Sequence, residues 1–359
     1  MSENAAPTKI ISDFEAKLDE ADGSVASFDA DNKSPILAVR KFLRNHPTTI
    51  PSVVLLVSVL MFGLIAPNFM KVSTLSLVLQ QVTVTGIVAI AQTAVVLTAG
   101  IDLSVGAILV LASIVMGKLA VEVGVPGWLA IVIGIGAGGF MGLINGLLVT
   151  VVRLPPFIVT LGTLNIFNAI KLWYSQSESI RGDDIDAKAP LLNFFGKEIH
   201  TLGASFTFGG LALLILAYAT WYLLNRTPWG RHVHAVGDDP DAALLSGIEV
   251  NKVLTSVYVF AGLVCGLGAW VAIGRVGSVS PIGFETVNLD SITATVIGGT
   301  SLFGGRGSIA GSVLGALIVG TFNTGLALAG VDDYWQIFAT GVLTIVAVAI
   351  DQWLRRASK

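Results

Sequence analysis

Residues 127–150 read GWLAIVIGIGAGGFMGLINGLLVT, a run without one charged side chain. The hydrocarbon core of a bilayer is about 30 Å thick and a helix needs about 20 apolar residues to cross it, so the run is long enough to span. Its glycines Gly134, Gly138, Gly142 and Gly146 fall at every fourth position, which on a helix lays them along one face. Such a stripe suits a transmembrane helix whose backbone lies close against another, because small residues let the two approach.

Comparable apolar runs lie to either side, near 50–66, 76–99, 102–121, 156–174, 207–225, 253–274, 290–303, 308–329 and 334–351. With 127–150 they predict about ten spans, the eighth of them short, and an all-α, polytopic transmembrane helical bundle. Composition demands the same reading. Of 359 residues, 53% are hydrophobic and 13% charged, with a mean hydropathy of +0.79; a soluble domain carries about 25% charge. Gly307, Gly311 and Gly315 form a second ladder, and Gly262 with Gly266 a third.

The same residues exclude several function classes. A net charge of −3 and the lack of a basic, aromatic-interleaved patch give nucleic acid no footing. Cys265 is the single cysteine and lies inside an apolar run; it is expected to be a small core hydrophobe. The four histidines lack metal-ligand spacing, and no nucleophile–base pair or paired carboxylates stand out. No metal, cofactor or enzyme activity is therefore expected. Gly134-Ile-Gly136-Ala-Gly138-Gly139 fits G-x-G-x-x-G, but no strand leads into it and no acid follows at the required distance, so it reads as packing. No G-x-x-x-x-G-K-[ST] occurs; any ATP must be hydrolysed on a separate chain.

Basic residues orient the bundle. Arg40, Lys41 and Arg44 before the first span put the N-terminus in the cytoplasm. Ten crossings then bring Arg153, Arg226, Arg231, Lys252, Arg306, Arg355 and Arg356 to the same side, so the C-terminus at 353–359 is cytoplasmic too. The opening residues lack a basic segment followed by an apolar one, so no cleaved signal peptide is expected. Residues 1–45 form an acidic cytoplasmic tail that reads as disordered, with a short docking helix through Ile10, Ile11, Phe14 and Leu18 as the alternative. Residues 46–352 form the transmembrane body. Its 175–206 loop falls on the outer, periplasmic side, as either a docking surface or a solvated connector.

The most shapely polar stretch is the cytoplasmic segment 226–252. Asp239 suits an N-cap, Pro240 the first helical position, and Asp241 the positive end of the helix dipole. Ala242, Ala243, Leu244 and Leu245 favour helix, and Gly247 can take the left-handed stop. A capped helix of one to two turns results. It is either a shape that docks into a partner or a structured loop.

Ala235-Val-Gly237, Asp241-Ala242-Ala243 and Ser246-Gly247-Ile248 resemble the coupling loop of ribose/xylose/fructose-type ABC sugar permeases. Gly100-Ile-Asp102-Leu-Ser104-Val-Gly106, Leu154-Pro-Pro156-Phe157-Ile-Val-Thr160-Leu-Gly162-Thr163 and Ile297-Gly-Gly-Thr300-Ser-Leu-Phe-Gly304-Gly305-Arg306-Gly307 match the same family in order. Within it a fructose-import permease is the nearest likeness, with ribose or xylose as other cargoes. The resemblance implies a permease subunit of the bacterial inner membrane, surrounded by lipid and paired with a second copy of itself. It also implies a periplasmic sugar-binding protein and a cytoplasmic ABC ATPase as partners. Gly237, Asp239, Pro240, Asp241, Ala242, Ala243, Ser246, Gly247 and Ile248 would then couple to the ATPase. Asp238 and Asp239 stand where members commonly have Gly and Asn, and Leu244 where Arg is common, so the contacts differ in detail.

Asp102 is the one acid set between two long apolar runs. A carboxylate at that depth is costly unless it faces protein or water, so it either caps the third span or touches the passing solute. Ser104, Asn145, Thr160, Asn165 and Thr300 join it as candidate pathway residues, with Gln92, Asn168 and Asn323 as further polar residues inside the runs. Hydroxyls and amides suit transient bonds to a sugar, and equally suit helix-to-helix bonds. The glycine-rich break 298–307 cannot continue as regular helix, and irregular backbone at membrane depth is tolerated where it is buried or lines a cavity. The competing reading is an ion-gradient-driven carrier of a small polar solute. Such carriers bury several acids or histidines as a relay, whereas Asp102 is nearly alone.

Overall fold

The computed structural model describes residues 48–201 and 204–356. The 1–45 tail with Arg40, Lys41 and Arg44 lies outside the described residues, as do the side chains of Arg355 and Arg356. The first helices are α1 (Thr49–Ile65), α2 (Val72–Leu97), α3 (Val105–Gly117, prolonged by a π turn over Lys118–Glu122), α4 (Gly127–Thr150) and α5 (Pro156–Ser175). A compact insertion follows, made of α6 (Gly182–Lys188), a 3-10 turn (Pro190–Gly196) and an antiparallel hairpin of β1 (Glu198–Thr201) and β2 (Ala204–Thr207), in which Glu198 faces Thr207. Then come α7 (Phe208–Arg226), α8 (Pro228–Asp238), α9 (Pro240–Leu245), α10 (Val250–Val276), α11 (Val287–Ile297), α12 (Ile309–Leu328) and α13 (Asp333–Arg356).

Among the described residues seven segments are long and apolar enough to cross a membrane: α2, α3 with its π turn, α4, α5, α7, α10 and α12. The apolar α1 and α11 are shorter, and α13 occupies the position of the tenth expected span. The result is an all-α bundle with one small hairpin.

Glycine decides which helices meet. α4 and α10 form the most extensive pair. A Cβ on Gly142 would strike the Tyr258 carbonyl oxygen, and Gly138 and Gly262 would each strike the other's carbonyl oxygen. Backbone meets backbone along the ladder read from the sequence, and close dispersion contacts take over from large interlocking side chains. The Gly134 end of the same ladder instead receives Met116 of α3. α11 and α12 repeat the device, with Gly311 against the Gly298 carbonyl and Gly315 against that of Ala294. Through the centre runs α2, buried almost continuously from Val82 to Leu97. α5 and α7 contrast with it. Only 28% and 22% of their apolar windows are buried, so most of each helix needs lipid or another subunit to cover it.

The insertion after α5 is a folded element that packs on the bundle through a few buried residues. Ile185 and Leu192 are fully buried, Gly196 sits against the Gly274 carbonyl, and Trp270 Nε1 donates to the Leu191 carbonyl oxygen at 3.1 Å. These contacts fall at the C-terminal end of α10, while α8 and α9 sit at its N-terminal end. At 1.5 Å per residue, 27 residues separate the two polar segments by about 40 Å. They cap opposite faces of the bundle.

Candidate coupling site and buried polar cluster

Two caps define α9. The Asp239 carboxylate Oδ1 accepts from the amides of Asp241 at 2.9 Å and Ala242 at 3.0 Å, and Pro240 occupies the first turn, where a missing N–H costs nothing. At the other end Gly247 adopts φ +83°, Gly247 N donates to the Leu244 carbonyl oxygen at 3.0 Å, and Ile248 N donates to that of Ala243 at 3.1 Å. This is the paired closure that an αL glycine permits. Ser246 Oγ adds a bond to the Ala242 carbonyl oxygen at 2.9 Å. Between the caps Leu244 and Leu245 are 61% and 90% exposed. Of the two alanines, Ala242 is exposed and Ala243 faces the core at 4%. α9 is thus a short rigid prong with an apolar tip.

Its base is α8, a helix that the sequence analysis does not anticipate. Thr227 caps α8 by accepting from Gly230 N at 3.3 Å, and Pro228 begins it. Val233, Val236 and Gly237 are buried. A Cβ on Gly237 would collide with the Leu97 carbonyl oxygen at the end of α2 and lie 2.8 Å from Gly305 N. Gly305 N itself donates to the Leu97 carbonyl oxygen at 2.9 Å, and the His234 ring Nδ1 lies 3.1 Å from the Gly305 carbonyl oxygen. Gly304 and Gly305 hold φ +84° and +71°, the left-handed region that glycine enters without penalty. So α8, the end of α2 and the 298–308 break meet through main-chain atoms. The expected irregular backbone is there, with Gly298, Thr300, Ser301 and Gly304 buried and Gly299, Phe303 and Arg306 exposed.

The 98–104 connection joins α2 to α3 and carries the second feature. Asp102 is 1% exposed. Its Oδ1 accepts from Ser104 N at 2.7 Å and Ser104 Oγ at 2.6 Å, and Asn145 Nδ2 donates to that same Ser104 Oγ at 2.8 Å and reaches Asp102 Oδ2 at 3.5 Å. With its amide oriented to satisfy both groups, Gln92 donates to the Asp102 carbonyl oxygen at 3.0 Å and accepts from Asp102 N at 3.2 Å. Thr160 Oγ1 of α5 donates to the Ile101 carbonyl oxygen at 2.9 Å. Asp102 therefore engages the residue at the N-cap position of α3, and neutral donors surround the carboxylate. Asn145 Oδ1 and the Tyr258 hydroxyl are buried without a partner among the described residues, which leaves acceptors for water at the same place.

Four of the six candidate pathway residues thus come together: Asp102, Ser104, Asn145 and Thr160. Thr300 joins a separate hydroxyl cluster, 3.4 Å from Ser312 Oγ, which Thr93 reaches at 2.6 Å. Asn165 stands apart on the exposed face of α5, its amide donating to its own helix at the Leu161 carbonyl oxygen. Asn323 Oδ1 accepts from Thr340 Oγ1 at 3.3 Å, tying α12 to α13. Tyr258 and Lys171 lie within long apolar runs, where no motif singles them out.

Comparison with known proteins agrees with this architecture. The family model described as branched-chain amino acid transport system / permease component matches residues 74–347. The fructose import permease protein of Rhizobium meliloti is 48% identical over 359 residues, covering 100% of both chains. The ribose import permease protein of Bacillus subtilis is 37% identical over 84% of this chain and 92% of its own, and the D-allose transport system permease protein of Escherichia coli K12 is 38% identical over 84% and 91%. No solved structure gives a significant match. A bundle of membrane-crossing helices, a main-chain seat under a capped prong and a family match across most of the chain lead to one conclusion: this protein belongs to the family of permease components of membrane transport systems.

Proposed function

We propose that the chain is the permease subunit of a binding-protein-dependent ABC importer in the bacterial inner membrane, and that it carries a monosaccharide inward, D-fructose first among the candidates. The relatives named for fructose, ribose and allose supply the substrate class, and full-length identity favours fructose. The mechanism rests on one observation, the main-chain seat of α8 against Leu97 and Gly305. A separate ATPase that grips Leu244, Leu245 and the cap residues Asp239 to Ile248 would move α9. The seat would pass that motion to α2 and to the 298–308 break. Asp102, Ser104, Asn145 and Thr160 sit at the other end of the 98–104 connection, within reach of such a shift.

In this reading α8, α9 and both termini face the cytoplasm, and the insertion after α5 faces the periplasm, where a sugar-binding protein would deliver cargo. The bare faces of α5 and α7 support a second copy of the chain and lipid as their covers. The test is uptake of labelled D-fructose into proteoliposomes holding the permease, its ATPase and its binding protein. Uptake is expected only with ATP, and Gly247→Trp is expected to abolish it, since an L residue at φ +83° is strained and the ring would obstruct the prong. Uptake by the permease alone under an ion gradient would sink the reading and favour a secondary carrier.

A further inference from the structure

A cavity of about 360 Å³ with mixed polar and apolar walls opens between α3, α5 and the turn that leads into α11. Neither the α8 seat nor the Asp102 cluster uses it. Gly106 of α3, Asn168 and Lys171 of α5, and Phe284, Glu285 and Asn288 line it. Lys171 is only 8% exposed. Among the described residues its ammonium makes no hydrogen bond and no ion pair within 4.0 Å, and Glu285 is the charge that acts on it. Asn288 is half-committed. Its Nδ2 donates to the Leu103 carbonyl oxygen at 3.3 Å, while its Oδ1 is buried without a partner. The Asn168 amide makes no hydrogen bond among the described residues.

Lys171 is a largely buried side chain of a membrane-spanning helix whose unpaired ammonium opens onto the cavity, and ionisable side chains kept at membrane depth mark solute sites by default. The composition of the walls says which solute. One ammonium, one carboxylate and two amides balance to no net charge, so an anion would meet Glu285 and a cation Lys171. A neutral polyhydroxylated ring satisfies all four. The ammonium and amide N–H groups donate to its oxygens, the carboxylate and amide oxygens accept from its hydroxyls, and Phe284 offers a flat apolar wall. The volume falls within the range usual for small-molecule pockets.

We propose that this cavity is a monosaccharide-binding subsite on the permease chain itself, with Lys171, Glu285, Asn168 and Asn288 holding the hydroxyls of a sugar in transit. The proposal rests on the sugar-importer reading and extends it, because this chain then contributes selectivity of its own. Two measurements test it. In proteoliposomes of the complete transporter, Lys171→Met and Glu285→Gln should each lower D-fructose carried per ATP hydrolysed by about tenfold, the loss of one charge-assisted bond. ATP hydrolysis stimulated by the binding protein should stay at the wild-type rate. Separately, in a Cys265→Ser background with Leu164→Cys, a lining position that holds no hydroxyl, millimolar D-fructose should slow labelling by a water-soluble thiol reagent without ATPase or binding protein, and adding Lys171→Met should remove the protection.

Labelling indifferent to D-fructose, or both variants carrying it at wild-type stoichiometry, overturns the subsite. Should Lys171→Met abolish hydrolysis along with uptake, its role in transport is structural and the labelling decides. A wild-type transporter that takes up no sugar with ATP overturns the importer reading instead, while protection from labelling still reports on the cavity.

Discussion

Replacing Gly237 with alanine adds one methyl group where three backbone segments converge. The new Cβ would collide with the Leu97 carbonyl oxygen and press on Gly305 N at 2.8 Å. Neither obstacle is a side chain that can rotate away, so α8 or the end of α2 must shift. Overpacking of this kind costs about 1–3 kcal/mol. The Gly305 N to Leu97 O bond at 2.9 Å lies in the path of the shift, and its loss adds about 1 kcal/mol. A total of about 2–4 kcal/mol is smaller than the overall stability of a typical fold, about 5–15 kcal/mol. The bundle should therefore insert and fold, while the seat opens in a large fraction of molecules. The assay is paired measurement of ATP hydrolysis and sugar uptake in reconstituted transporter. Hydrolysis should persist and uptake should fall by about tenfold or more, since each 1.4 kcal/mol is a factor of ten. Gly136→Ala is the control, a helical glycine whose added Cβ meets nothing within 4 Å; it should be neutral or slightly stabilising. Wild-type uptake by Gly237→Ala would refute transmission through this contact.

Three further outcomes follow from the packing. Gly142→Ala drives a methyl group into the Tyr258 carbonyl and should lower thermal stability in detergent by about 2 kcal/mol or more, whereas Gly162→Ala, with open space around it, should not. Asp239→Ala removes two cap bonds worth about 1 kcal/mol; hydrogen exchange should accelerate at the amides of Asp241 and Ala242 and stay slow in α10. Asp102→Ala strands the buried Ser104 amide and Ser104 hydroxyl, a loss of about 1–3 kcal/mol per unsatisfied group. It should unfold earlier on heating than Asp102→Asn, which keeps an acceptor for Ser104 N.

The parts of this molecule that the sequence announced are those fixed by local chemistry. The spacing of Gly134, Gly138, Gly142 and Gly146 needs only helical geometry to become a stripe, and three of the four rungs meet α10. Asp239, Pro240 and Gly247 likewise act within one short segment, and their caps appear where their side chains require. The parts that were silent depend on distant chain. α8 reads as polar loop because Arg231, His232 and His234 interrupt it, although Thr227-Pro228 is a helix start in plain view. The 175–206 insertion shows no periodicity, so the burial of Ile185 and Leu192 becomes visible only once α10 supplies the surface beneath them. Lys171 is of the same kind, since only the fold brings it to a cavity shared with the turn before α11.

The joint beneath α8 is made chiefly of peptide groups, with the His234 ring as its side-chain contact. Under the coupling proposed above, a change in the residues that meet the solute leaves the transmission untouched, and a methyl group gained at position 237 lowers the uptake of any solute alike.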